Sequence, residues 1–213
     1  MEFVGFAQAD FEVFSVPGLE PRMEALKANL RPKLVQLGQD FEQTLTELTG
    51  RPMYAHVAKH ARRTVNPPND SWVAFGHDKR GYKKHPHFQI GAWETHAFAT
   101  FGLIYESLQR RAFAQQLIHH ASDVIARIPD WYVWIPDHTN PLALSAREVD
   151  ERKLVELANR LAQTRQGELL TGIQIPQEKA VQMTAQEFEL AVTDCFQVLL
   201  PLYHMALTEV VPS

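Results

Sequence analysis

Apolar residues in the first fifty positions recur every three or four residues, which is the spacing of one face of a helix. This stripe runs from Leu19 to Leu48. Pro32 predicts the start of a second helix inside it, because proline fits the first turn of a helix but not its interior. Gly50 predicts the end of that helix.

The middle of the chain changes to short aromatic and β-branched runs, which are typical of strands. Residues 87–93 and 96–105 are separated by Glu94 and Thr95 alone, and this spacing predicts a β-hairpin. Three further strands are predicted at residues 72–75, 131–135 and 168–175. Helical spacing returns at residues 115–128, at residues 146–163 and in a last helix that begins at Thr184, where a capping box is present.

Strands therefore cluster in the middle and helices lie toward both ends. This order predicts an α+β fold, in which N-terminal and C-terminal helices cover an antiparallel sheet of about five to six strands. The chain contains no internal repeat, low-complexity tract or Gly/Ser-rich linker. We therefore expect residues 1–213 to form a single domain.

The composition is that of a globular protein, with 45% hydrophobic and 22% charged residues. Cys195 is the one cysteine, so no intrachain disulfide is expected, and this fits a reducing compartment. It lies on the apolar stripe of the last helix, which favours a core residue over a nucleophile. The N-terminus lacks the pattern of a signal peptide, and no run of 18 apolar residues occurs, so we expect a cytoplasmic protein without a membrane partner.

The formal charge of −4 conceals an uneven distribution. Residues 51–93 contain eight Lys or Arg against two Asp, a local charge of +6, whereas the rest of the chain carries −10. Five of the ten histidines also lie in this segment. A positive region on an acidic body favours an anionic ligand over general adhesion to nucleic acid, which usually requires a basic domain.

Two long segments carry a resemblance to a known family. HVAKHARRTVNPPNDSWVAF at residues 56–75 and KRGYKKHPHFQIGAWETHAF at residues 79–98, with ELLTGIQI at residues 168–175, resemble the YktB-like family of uncharacterised bacterial proteins. The resemblance covers almost the whole chain. It implies a single α+β domain of this length and assigns neither an activity nor a cofactor.

The first candidate site is a cluster of basic residues. Arg62 and Arg63 precede a double-proline turn, and Lys79 and Arg80 lie in the loop between two predicted strands. Pairing of those strands would bring both groups to one end of the sheet, where guanidinium groups bind phosphate or carboxylate in bidentate fashion. The alternative is a solvated hairpin tip whose charges pair with surface acids.

The second candidate is one face of the hairpin. Alternation and a two-residue turn place His87, Gln89 and Thr100 on that face beside Gly91 and Gly102. Polar side chains beside glycines are typical of a pocket floor, since glycine lets a ligand approach the backbone. The alternative is a sheet face that is polar because water covers it.

Other histidines have spacings that raise the question of metal binding or catalysis. His85 and His87, like His56 and His60, have a spacing seen in zinc sites, but neither pair has an acidic or cysteine ligand nearby, so we predict no metal site. His138, at the end of a predicted strand, is a weak candidate for a general acid or base. Its neighbour Asp137 is expected to cap the following turn instead.

The leading hypothesis is that the chain binds an anionic small molecule such as a nucleotide, and the sequence leaves open whether it also turns that molecule over. Its ligands would be the residues of the two candidate sites together with an aromatic side chain that stacks on a ring: Arg62, Arg63, Trp72, Lys79, Arg80, His87, Gln89, Trp93 and Thr100. One alternative is an RNA- or single-strand-binding module whose bases stack on Trp72, Phe75, Tyr82 and Phe88. Another is a protein-interaction scaffold.

Missing motifs disfavour three common enzyme classes. The chain has no Gly-rich phosphate loop and no G-x-S-x-G sequence. This argues against a P-loop NTPase, a Rossmann enzyme and an α/β hydrolase. The sequence specifies neither a cofactor nor an oligomeric state, and it leaves open whether the protein is an enzyme.

Overall fold

Seven antiparallel strands form one sheet in the computed structural model, which describes residues 2–207. The spatial order is β1-β2-β3-β4-β7-β5-β6. The strands are β1 (Tyr54–Val57), β2 (Asp70–Gly76), β3 (His87–Trp93), β4 (His96–Leu103), β5 (Val133–Ile135), β6 (Leu144–Ser145) and β7 (Leu169–Pro176). The predicted α+β class with an antiparallel sheet is confirmed, and the sheet has two strands more than the five segments identified in the sequence.

Within the described residues, eight α-helices lie before, between and after the strands. They are α1 (Gln8–Glu12), α2 (Leu19–Ala28), α3 (Leu30–Thr49), α4 (Arg110–His119), α5 (Ala121–Arg127), α6 (Glu151–Gln163), α7 (Gln177–Ala180) and α8 (Ala185–Leu207). Pro32 lies in the first turn of α3 and Gly50 ends that helix in the left-handed conformation, both as predicted. The single helix predicted at residues 115–128 is in fact two helices, which meet at His120.

One face of the sheet packs against the helices and forms the core. α3 contacts β1 and β2, whereas α8 contacts β4 and β7. Phe75, Phe88 and Phe101 occupy directly paired positions on this face and are almost fully buried. Burial of such side chains, at roughly 1.5–3 kcal/mol each, is what holds the helices on the sheet.

Helix α8 is long and apolar enough to cross a membrane by length and composition alone. Its apolar residues, however, include Phe196 and Leu199, which are completely buried against the sheet. Cys195 is also buried in this core, and its thiol donates to the carbonyl oxygen of Ala99. These contacts are those of a core helix.

The opposite face of the sheet is covered by loops, and we call it the loop-covered face. It carries Gln89, Thr100 and Gly172 in one row across β3, β4 and β7. Tyr82, in the loop 77–86, packs over Gly76 at one end of this face. His138, in the loop 136–143, lies near Gln89 and Thr100 and covers the centre.

Candidate functional site

A pocket lies on the loop-covered face, between the sheet and the loop 136–143. The space that it encloses is about 20 Å³, which is room for about one water molecule, and the rest of the pocket is open to solvent. Aromatic and aliphatic side chains form much of its wall, and polar groups converge among them. The lining residues are Asp70, Gln89, Trp93, His96, Phe98, Thr100, Ile135, His138, Asn140, Leu170 and Gln174.

The hairpin places Gln89 and Thr100 side by side on the pocket floor. β3 ends at Trp93 and β4 begins at His96, so the two-residue turn is confirmed. The register pairs Gln89 with Thr100 and His87 with Gly102, as predicted from the turn length. Both polar side chains therefore project from the same face of the sheet.

His87 fixes the orientation of the Gln89 amide. Nδ1 of His87 lies 2.8 Å from the carbonyl oxygen of His85, which only accepts, so Nδ1 carries the proton. Nε2 of His87 is then an acceptor, and it receives a hydrogen bond of 2.9 Å from Nε2 of Gln89. Burial lowers the pKa of His87 to about 4 and keeps the ring neutral. The Gln89 amide thus turns its NH2 group toward His87, which leaves its carbonyl oxygen as the acceptor for a ligand.

Two buried polar atoms in the pocket lack partners within residues 2–207. One is the hydroxyl oxygen of Thr100, a residue 1% exposed, and the other is Nε2 of His96. Nδ1 of His96 is occupied by Thr95 at 2.8 Å. Burial lowers the pKa of His96 to about 4, so the ring is neutral. Because buried polar groups are nearly always hydrogen-bonded, these two atoms indicate a polar ligand or bound water.

Asp70, at the start of β2, is a buried carboxyl group in the same pocket. Burial raises its pKa to about 6, although the positive charges of His138 and Arg63 act in the opposite direction. Among the described residues, the hydrogen bond that favours its ionised form comes from its own backbone N–H. A carboxyl group that is desolvated and weakly paired is common at functional sites.

His138 closes the pocket from above and is held by Glu168. Its Nδ1 lies 2.7 Å from Oε2 of Glu168, and its backbone N–H donates to Oε1 at 3.1 Å. Burial alone would lower the pKa of His138, but the hydrogen bond and charge of Glu168, with Asp70 and Asp137, raise it above the ordinary value. Asp137 accepts hydrogen bonds from Thr139, as expected of a turn cap.

The basic residues predicted as anion ligands lie elsewhere. Arg62, Arg63, Lys79 and Arg80 are all outside the set of residues that line this pocket, and the two arginines of the pair are exposed. Arg63 donates to the carbonyl oxygens of the turn at residues 66–67. It is nevertheless close enough to Asp70 to lower that carboxyl's pKa, so its charge acts on the pocket from outside.

Of the aromatic residues predicted to stack on a ligand ring or on bases, only some lie where a ligand could reach them. Trp93 lines the pocket, whereas Trp72 does not, and the indole N–H of Trp72 donates to the hydroxyl of Tyr82 at 2.9 Å. Phe75 and Phe88 are fully buried on the helix-covered face. They cannot stack on nucleic-acid bases, because the core already encloses both rings.

The two hairpin glycines do not open space for a ligand, contrary to the prediction. A Cβ atom at Gly91 would lie 2.5 Å from the ring of Phe98, and one at Gly102 would lie 2.4 Å from the carbonyl oxygen of Leu169. Neighbouring protein atoms, not a pocket, occupy these positions. Phe98 thereby becomes part of the pocket wall over Gly91.

The histidine pairs with zinc-like spacing are engaged in other contacts. Both nitrogens of His87 are used by His85 and Gln89, and His56 and His60 lie on a strand and in a loop, not on one helix. Within residues 2–207 no group of three or more His, Cys, Asp or Glu is arranged to hold a metal ion.

Comparison with known proteins places the chain among relatives of unknown function. A family model described as a domain of unknown function, DUF1054, matches residues 6–203. The chain belongs to the DUF1054 family. It is 49% identical over 200 residues to a UPF0637 protein of Bacillus cytotoxicus, covering 94% of this chain and 96% of that protein. It is 48% identical to a UPF0637 protein of Bacillus velezensis, covering 93% and 94%. The expected relation to uncharacterised bacterial proteins is therefore confirmed.

Sequence reasoning misses several residues that line the pocket of this DUF1054 chain, and also Glu168, which holds His138 from outside it. Asp70 has the sequence context of a turn, although its register opposite Trp93 places it on the loop-covered face. Glu168 is thirty residues from His138, so no local pattern connects them. His96 and Phe98 could have been found, because they alternate with buried core residues along β4.

Proposed function

We propose that this protein binds a small metabolite in the pocket on the loop-covered face. The observation that carries the proposal is the convergence of the Asp70 carboxyl, the Thr100 hydroxyl and Nε2 of His96 in one pocket, without hydrogen-bond partners from other described residues for the latter two. Gln89 adds a carbonyl acceptor with a fixed direction. Trp93 and Phe98 supply aromatic surface for a ring.

The part of the ligand that enters the pocket is small and both donates and accepts hydrogen bonds. Asp70 and Gln89 require donors on the ligand, whereas Thr100 serves either role. An anionic group on the ligand, as the sequence predicts, would lie at the outer edge near Arg63, because Asp70 disfavours a second negative charge inside. We also propose a cytoplasmic location, which is supported by the single, buried thiol of Cys195.

Thermal-shift measurements against nucleotides, sugar phosphates, carboxylates and uncharged heterocycles test this proposal. A compound at 100 times its dissociation constant should stabilise the protein by about 2.7 kcal/mol. Thr100→Val removes the unpartnered hydroxyl with little change of shape, so it should weaken binding without lowering the stability of the free protein. Equal shifts in the wild type and Thr100→Val for every bound compound would contradict a site at this pocket.

Variants of the basic loops separate this proposal from the two alternatives. Arg62→Ala/Arg63→Ala should weaken the binding only of compounds that carry phosphate or carboxylate. Lys79→Ala/Arg80→Ala is the matched control, because neither residue is among the charges that act on Asp70. Binding of a mixed oligonucleotide that falls steeply with salt and is lost in both double variants would favour the nucleic-acid module instead. A stable complex with a protein and no small-molecule shift would favour the scaffold.

A further inference from the structure

The pocket contains two groups that can exchange protons with a bound molecule. Asp70 rises from the start of β2 on the floor, and His138 reaches in from the loop 136–143 above. Both line the same pocket, and each is near enough to influence the ionisation of the other. A ligand group that enters the pocket between the floor and this loop would therefore lie near both.

The Glu168 carboxylate determines which nitrogen of His138 is available. It holds Nδ1–H at 2.7 Å, and no residue of the described chain hydrogen-bonds Nε2 of His138. The backbone N–H of His138 bonds the same carboxylate, so the loop and the ring are fixed together. Arg160 further fixes the loop through a hydrogen bond to the carbonyl oxygen of Pro136. Nε2 is thus the ring nitrogen that is left to interact with a ligand.

We propose that this protein is an enzyme in which Asp70 acts as general base and His138 as general acid, and that its substrates are small carbonyl compounds with a hydrogen on the adjacent carbon. This inference rests on the proposed binding function and assigns a reaction to the same pocket. Glu168 is a positioning residue, since it acts through His138.

The step balances without an oxidant or a further reactant. The Asp70 carboxylate removes a proton from the carbon next to the carbonyl group, and the electron pair of that C–H bond forms a C=C bond. The carbonyl π electrons move to oxygen, which takes the Nε2 proton of His138 and gives a neutral enol. His138 is then neutral with Nδ1–H still bonded to Glu168. Return of the Asp70 proton to the opposite face of the same carbon, with the enol proton going back to Nε2 of His138, gives racemisation. Where that carbon carries a hydroxyl group the intermediate is an enediol: the Asp70 proton is delivered to the former carbonyl carbon, the hydroxyl proton passes to Nε2 of His138, and the new C=O bond completes an isomerisation.

The protonation states in the pocket agree with these roles. The raised pKa of Asp70, about 6, leaves it ionised near neutral pH but more basic than an ordinary aspartate. The raised pKa of His138, which Glu168 maintains against burial, favours the imidazolium form that the general acid needs. Asp137 and the buried, neutral His87 also face this ring. Because Asp70 is only 8% exposed, water has little access to the base, which favours proton transfer within the ligand over hydrolysis.

Deuterium uptake tests the reaction on a panel of compounds, so the natural substrate need not be identified first. The protein is incubated in D2O near pD 7.5 with trioses, pentoses, hexoses, their phosphates and 2-oxo carboxylates, and mass spectrometry detects added deuterium. Thermal shifts report binding of the same compounds. We expect at least one bound compound to gain deuterium faster than in buffer alone.

Matched variants assign the exchange to the two residues. Asp70→Asn and His138→Gln should each slow the exchange by about 100-fold or more. The controls are Asp123→Asn, in α5, and His120→Gln, directly before α5. These two residues form an exposed acid–histidine pair, and neither substitution should change the exchange. Glu168→Gln should shift the alkaline limb of the pH–rate profile to lower pH. If His138→Gln does not fold, the double variant Glu168→Gln/His138→Gln avoids an unpaired buried carboxylate.

Four outcomes are distinct. Exchange that is lost in the Asp70 and His138 variants supports the inference. Compounds that bind in a Thr100-dependent manner without any exchange overturn the inference and leave the proposed binding function standing. Exchange that persists in both variants overturns the assignment of acid and base. Neither binding nor exchange by any compound of the panel counts against the binding function and the reaction together.

Discussion

Nδ1 of His138 lies 2.7 Å from a carboxylate oxygen of Glu168, a residue thirty positions further along the chain. The same carboxylate accepts the backbone N–H of His138 at 3.1 Å. Two bonds from one residue to one carboxylate define both the tautomer of the ring and the position of the loop that covers the pocket. The orientation of His138 thus depends on Glu168, directly before β7, not on the neighbouring Asp137.

Glu168→Gln should lower the pKa of His138 from above its ordinary value of 6.5 to below it. Burial lowers this pKa, and the hydrogen bond and charge of Glu168 outweigh that effect in the wild type. With a neutral amide in place of the carboxylate, burial dominates. NMR titration of the His138 ring in both proteins measures the change.

The same substitution should reduce stability in a pH-dependent way. A histidine whose folded pKa is raised stabilises the fold below the unfolded pKa, and this contribution is lost as pH rises through the folded pKa. The loss in Glu168→Gln should therefore be largest below about pH 6.5, roughly 3 kcal/mol as for a broken buried ion pair. Glu156→Gln, at an exposed position, is the control. An unchanged His138 titration would contradict the pairing.

Asp70→Asn should make the protein more stable above pH 6. The folded pKa of Asp70 is about 6 against an ordinary value of 3.8, so ionisation of this carboxyl opposes folding. A group with a raised folded pKa contributes stability below the unfolded pKa and loses it as pH rises through the folded one. Two pKa units correspond to roughly 3 kcal/mol. Urea unfolding at pH 8 and pH 3 should show a gain for the variant at pH 8 only.

Asp123→Asn, an exposed carboxyl, provides the comparison for Asp70→Asn. A gain in stability on removal of a buried charge is typical of positions retained for function, since such sites are rarely optimal for stability. Destabilisation of Asp70→Asn at pH 8 would show that the carboxyl makes a structural contact, and it would remove one argument for a ligand at this position.

The sequence predicts the hairpin of the pocket in detail because two short-range signals agree there. A two-residue gap fixes the register, and alternation along β3 fixes the face, so the pairing of Gln89 with Thr100 follows from local information. The edge strands β1 (Tyr54–Val57) and β6 (Leu144–Ser145) are not predicted, because they are short and half-buried on both faces. Alternation gives no signal in such strands.

The charge composition of the pocket could not be predicted because it depends on contacts between distant segments. Residues 51–93 are basic as a group, yet their lysines and arginines lie on loops outside the pocket. The ionisable groups that do line the pocket come from β2, β4 and the loop 136–143. A count of charge along the chain cannot distinguish these groups, since burial is decided by tertiary packing.

Gly172→Ala should strongly destabilise the sheet between β4 and β7. A Cβ atom at Gly172 would lie 2.1 Å from the carbonyl oxygen of Ala99, which is backbone and cannot rotate away. Strand separation would cost hydrogen bonds on both sides, and we expect a loss of about 3 kcal/mol or more, comparable to other severe overpacking. Gly81→Ala is the matched control, because nothing lies within 4 Å of its Cβ position. Equal melting temperatures for the two variants would contradict the close approach.

His87→Gln should make the protein less sensitive to acid. The wild-type ring is fully buried, and burial lowers its pKa from 6.5 to about 4. Between these two pH values the ring is therefore protonated in the unfolded chain and neutral in the folded protein. A depressed folded pKa gives stability above the unfolded value of 6.5, and this stability is lost as pH falls toward 4. His87 contributes roughly 3 kcal/mol to this change in the free energy of unfolding. Unfolding free energies at pH 7.5 and pH 4 should therefore differ less in the variant than in the wild type by about that amount. His60 and His96, whose pKa values burial also lowers to about 4, are among the groups that contribute to the remaining slope. An identical slope in both proteins would mean that the His87 ring already carries a proton in the fold, and the orientation assigned to the Gln89 amide would then be wrong.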